Sequence, residues 1–149
     1  MSAADNLRQN LEQALKLPPV AVDWVLMLWG AIQVFDDAAD GDQIPRAELD
    51  AAIWNTLVSM PQNPFFCQNA SALLPVVGTM ILKWQAADQC ERFGSVDPCS
   101  FVWRAGFYDV VLMVVQLCHG PKVAIDMSLV VMGLYGEKYE DYLKEFGHA

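Results

Sequence analysis

Four apolar runs limit what this chain can fold into: Trp24 to Phe35, Leu73 to Leu82, Val110 to Cys118 and Val123 to Tyr135. Each is shorter than the roughly 18 uninterrupted apolar residues of a spanning helix, and Asp23, Asp109 and Asp126 sit at or within them. They therefore read as helices of a core, with no membrane partner expected. Proline and glycine divide the runs, and the apolar residues around them recur at three- and four-residue steps.

Taken in order, Leu7, Leu11, Ala14 and Leu15 predict an amphipathic helix over 5–17, ended by Pro18-Pro19. A second helix runs from about Val20 into Asp36-Asp37-Ala38-Ala39-Asp40 and stops at Gly41. Val22, Val25, Trp29 and Ile32 are its expected apolar face. Pro45 opens a third helix to about Met60, and Pro61-Gln62-Asn63-Pro64 reads as a turn. Residues 65–89 follow as a helix kinked or split at Pro75 and Gly78. Asp97-Pro98 caps a helix reaching Cys118, apolar nearly all round and so expected at the centre. A last helix, Lys122 to Phe146, breaks near Gly133 or Gly136. The expected fold is all-α: a compact, single-domain bundle of about six helices over residues 1–149.

The chain is 54% hydrophobic and only 18% charged, against about 25% charged in ordinary domains. That much apolar surface favours a homo-oligomer. A net charge of -9 with nine scattered Lys and Arg excludes a phosphate backbone as partner and disfavours anionic lipid. Cys67, Cys90, Cys99 and Cys118 form no CxxC pair, which argues against a zinc or thioredoxin-like site. Residues 1–5 carry no signal-peptide pattern, so a cytoplasmic chain with reduced thiols is expected.

Chemistry concentrates at Asp36, Asp37, Asp40 and Asp42, four carboxylates in seven residues. Asp36 and Asp40 lie one helical turn apart, on the face that continues to Ile32 and Trp29, so both are expected to look inward. Stacked carboxylates at a helix C-terminus repel each other and face the negative end of the dipole. A hard divalent cation relieves both, Mg²⁺ being the natural candidate and Ca²⁺ the second.

The run Asp36-Asp37-Ala38-Ala39-Asp40, preceded by Gln33-Val34-Phe35, resembles the DDxxD motif of class I isoprenoid synthases. Those all-helical enzymes bind a substrate diphosphate through Mg²⁺ at this motif. The resemblance covers about eight residues and implies metal ligands at Asp36 and Asp40, with Asp37 auxiliary. The second acidic motif of that family has no counterpart here, Asp109 being the nearest stand-in. Asp109 is expected to face the cluster across a cavity, or else to pair with a cation such as Arg104. Gln116, seven residues on, shares its face. Lys83 and Arg104 are candidate ligands for a small phosphorylated molecule, or alternatively paired or snorkelling residues.

Two other readings of the acidic stretch stay open. Residues 37–48 have the length of an EF-hand calcium loop, with Ile44 eighth and Glu48 twelfth. Asp40-Gly41-Asp42 is also ordinary turn chemistry in a solvated loop. His119 is placed to cap a helix C-terminus, and Tyr135, Tyr139 and Tyr142 form a stripe that would pack on the bundle or a partner. The functional choice lies between a Mg²⁺-diphosphate site and a non-catalytic oligomeric adaptor.

Overall fold

The computed structural model describes residues 1–147, and among these the chain is all-α, with eight helices and no strand. α1 is Ala3–Gln9, continued by a π-turn over Asn10–Ala14. α2 is Pro19–Asp40, and α3 is Arg46–Trp54 prolonged by a π-turn at Asn55–Ser59 and Met60–Gln62. α4 is Pro64–Phe93, α5 Pro98–Trp103, α6 Phe107–His119, α7 Pro121–Met132 and α8 Tyr139–Phe146. The count exceeds six because the two longest helices expected near the C-terminus are each divided. Where one domain is expected, backbone contacts group the residues into two compact units, 1–70 and 71 onward, the boundary falling in the sequence of α4.

In the first unit, Ser2 and Asp5 close a reciprocal cap on α1: the Asp5 N–H donates to Ser2 Oγ at 3.1 Å and the Ser2 N–H donates to Asp5 Oδ2 at 3.2 Å. Lys16 adopts φ 51° and Pro18-Pro19 follow, so α1 cannot continue into α2. α2 ends where the sequence says it should, at Gly41 in the left-handed region (φ 75°). There the Asp42 N–H reaches back to the Asp37 carbonyl, a closure that a Cβ would strain. α2 buries Ala21, Val22, Trp24, Val25, Leu28, Ala31 and Val34. Trp24 stacks on Phe66 at 5.7 Å and tilts against Phe65. Asn63 alone separates α3 from α4. It is buried because its amide donates to the Val20 carbonyl at 2.9 Å and accepts from the Phe66 N–H.

In the second unit, α4 passes Pro75 without a break and buries Leu73, Met80 and Ala87 at seven-residue intervals. The helix expected over 98–118 splits at 104–106. Gly106 lies against Met80 there, where an added Cβ would come within 3.2 Å of the Met80 backbone and push the neighbour back. The Asp97 cap on α5 is as expected, with the Ser100 N–H donating to Asp97 Oδ1 at 2.8 Å. α6 and α7, joined at Gly120 (φ 90°), pack on each other, and Phe107, Val110, Val111, Val114 and Val115 form the buried side of α6. The expected break near Gly133 is present, and α8 follows after residue 138.

Candidate functional site

Asp36, Asp37 and Asp40 occupy the last two turns of α2, in the first unit. Asp36 and Asp37 are half-buried and Asp40 is exposed, so the expectation that Asp36 and Asp40 both look inward holds for neither fully and fails for Asp40. The cause is the phase of the helix. Its buried positions 21, 24, 28, 31 and 34 recur at steps that average less than the 3.6-residue turn, so the buried stripe drifts away from 36 and 40. Trp29 and Ile32, expected on the core face, are only half-buried for the same reason. The stretch 37–48 leaves just 41–45 outside helices, so the first four positions of the calcium-loop reading are helical and do not wrap a cation.

The remaining candidates, Lys83, Arg104, Asp109 and Gln116, belong to the second unit. Asp109, in the first turn of α6, pairs with Lys83 Nζ of α4 at 2.7 Å. The cation is Lys83 and not Arg104, and both side chains keep about a third of their surface in water. Gln116 is half-buried on α6. Arg104 is held elsewhere, its guanidinium 3.8 Å from Glu91 and 3.4 Å from Glu137 and lying over the Tyr142 and Phe146 rings. Lys83 and Arg104 thus each face protein carboxylates. Among the described residues, no three His, Cys, Asp or Glu side chains gather as a metal-holding group. His119 occupies the last turn of α6, as expected of a C-terminal cap. Burial pushes the neighbouring Cys118 thiol up, the reverse of what an activated nucleophile needs.

Sequence reasoning missed a polar hub on α5 and α8. Tyr142, fully buried, lies 2.9 Å from Ser100 Oγ and donates to Glu91 Oε2 at 3.1 Å. Phe101 meets the rings of Tyr135, Tyr139 and Tyr142 at 5.3–5.4 Å, so the tyrosine stripe packs within its own unit. Spacing revealed the stripe; Glu91, 51 residues from Tyr142, gave no local signal. Burial pushes the Tyr142 phenol up to about 12, and burial together with the Glu137 acceptor raises Tyr135 as well. Because both folded values exceed that of an unfolded tyrosine, near 10, the stability they contribute is intact below pH ~10. It is lost as the pH rises from there toward ~12. Urea midpoints followed through this window should fall steeply for the native chain and less steeply for Tyr142→Phe; equal slopes would refute the assignment.

The second unit also exposes apolar side chains at helical spacing. α7 buries Ala124 and Val131 but exposes Ile125, Leu129 and Met132 in one outward row. α4 exposes Leu74, Ile81 and Leu82. By length and composition alone, α2 and α4 are long and apolar enough to cross a membrane, and only 17% of the apolar window of α4 is buried. No protein-family model, no curated protein and no solved structure matches this chain.

Proposed function

We propose that this protein is a non-catalytic assembly module of the cytoplasm, whose second unit self-associates through the outward row of α7. The observation that carries this reading is the exposure of Ile125 and Leu129, 72% and 83% open to solvent on a helix that buries only two small or medium side chains. Single exposed leucines are ordinary, but an i, i+4, i+7 row is the pattern by which helices recognise helices. The occupant that suits it is a second copy of the chain, since a row of this kind is self-complementary across a two-fold axis.

Lipid suits it less well. Twelve residues span about 18 Å, well under a bilayer core, and the Lys122–Asp126 ion pair at 3.0 Å lies on the same helix. The exposed side of α4 mixes Gln68, Ser71 and Thr79 with its leucines, which water and protein tolerate better than hydrocarbon. Four unbridged cysteines suit a reducing compartment.

Sedimentation equilibrium tests the reading. The native chain is expected to associate, and the double variant Ile125→Asp/Leu129→Asp to sediment at 16.6 kDa with unchanged helical circular dichroism. Losing two large apolar contacts should weaken association at least about a hundredfold. A native chain that stays monomeric at high concentration, or that floats with neutral vesicles, overturns it. In the same preparation, stabilisation by Mg²⁺ plus pyrophosphate that vanishes in Asp36→Asn would favour the diphosphate site instead.

A further inference from the structure

The pairing of α2 with α3 in the first unit is unusual in where it places bulk. α3 turns Leu49, Ile53, Trp54 and Leu57 to solvent and buries Ala52 alone. Opposite it, α2 presents Gly30 and Ala31. Small residues on both helices leave a half-open cavity of about 290 Å³ between them. Trp29 lines it together with three polar residues, the exposed Gln33 and Glu48 and the half-buried Asn55. None of the three makes a side-chain hydrogen bond or ion pair among the described residues. An apolar hollow edged by a few polar residues is the form that small-molecule sites take. A neighbouring hollow lined by Arg8 and Asp23 lacks this character, because those two charges lie 3.9 Å apart and answer each other.

Charge decides the class of ligand. Between Lys16 and Arg46 the sequence has no cation, while Asp23, Asp36, Asp37, Asp40 and Asp42 all fall in that interval, and Arg46 itself is answered by Asp50 at 2.8 Å. Asp37 stands one turn beyond Gln33 on the same side of α2. An anion is therefore repelled, and a cation is drawn to Glu48 with the amide oxygens of Gln33 and Asn55 as further acceptors. We infer that the cleft between α2 and α3 binds a small primary amine with an apolar body, its ammonium held by Glu48 and its body against Trp29. The volume suits a molecule of about ten non-hydrogen atoms, at the lower end of ligand cavities.

Phenethylamine, with phenethyl alcohol as its uncharged counterpart, is the probe. Titration of the full chain, followed by amide chemical shifts in two-dimensional NMR, should show saturable movement of the 29–34 and 48–55 signals with the amine. The alcohol should bind about tenfold more weakly, as should the amine to Glu48→Gln, since each lacks one partner of a charged hydrogen bond. Glu48 is exposed, so this variant leaves the fold intact. Gly30→Leu provides a second check: a Cβ at Gly30 meets nothing within 4 Å, so the leucine enters open space, and the variant should gain thermal stability while losing the amine. Amine and alcohol binding alike, an amine affinity unchanged in Glu48→Gln, or no saturable shift in the native chain would each overturn the assignment. None of these results depends on whether α7 self-associates.

Discussion

Trp24→Ala is expected to remove about 3–5 kcal/mol from the stability of the first unit, the range for deleting a large aromatic from a closed core. Trp24 is 1% exposed, and its indole stacks at 15° on Phe66 while leaning on Phe65, so the truncation empties the place where α2 meets the start of α4. Trp24→Phe should behave differently. The Trp24 Nε1 donor is buried without an acceptor, a condition that costs about 1–3 kcal/mol. Phenylalanine removes that donor and keeps most of the ring contact, so the loss of bulk and the relief of desolvation oppose each other. Urea unfolding should then place Trp24→Phe within about 1.5 kcal/mol of the native chain and Trp24→Ala far below it. Equal losses in the two variants would show that the indole donor is satisfied in solution.

Features specified by a few adjacent residues were legible. Gly41 and Asp97-Pro98 each mark a helix boundary, because a cap or a left-handed residue acts over one turn. Features that depend on distant partners were not. A kink or a split is expected at Pro75, and the split is absent: α4 runs on through it, with Thr79 Oγ1 donating to the Pro75 carbonyl at 3.0 Å. The division between α5 and α6 falls where Gly106 approaches Met80, 26 residues earlier. The acidic cluster was found as composition, but its orientation turns on the slow drift of the buried stripe along α2. That drift is set by what α2 packs against, and the spacing of the aspartates does not contain it. Asp109 has a cation partner, as expected, although part of its side chain stays in water. Which cation answered it was decided by the approach of α4 to α6, and Lys83 took the place expected of Arg104.

Arg104 in turn answers carboxylates far from it along the chain, and its removal should be the most damaging single change in the second unit. Its side chain is 15% exposed, Glu91 10% and Glu137 27%, so the three charges share little water. Taking away the guanidinium leaves two carboxylates confined near each other beside the Tyr142 hydroxyl, and strips the cation from the faces of Tyr142 and Phe146. Breaking such a group from one side costs about 3–5 kcal/mol, because the uncompensated charges stay behind. Arg104→Met should therefore unfold the second unit at much lower urea than does loss of an exposed pair such as Lys122–Asp126, where Lys122→Met costs less than about 1 kcal/mol. The triple variant Arg104→Met/Glu91→Gln/Glu137→Gln should recover most of the loss, since no carboxylate at the hub is then left unanswered. If the triple variant is no more stable than Arg104→Met alone, the defect is the missing packing over Tyr142 and Phe146, and the charges at the hub contribute little. Because α8 is fastened to α5 at this hub, proteolysis at Lys138 or Lys144 should also quicken in Arg104→Met and slow again in the triple variant.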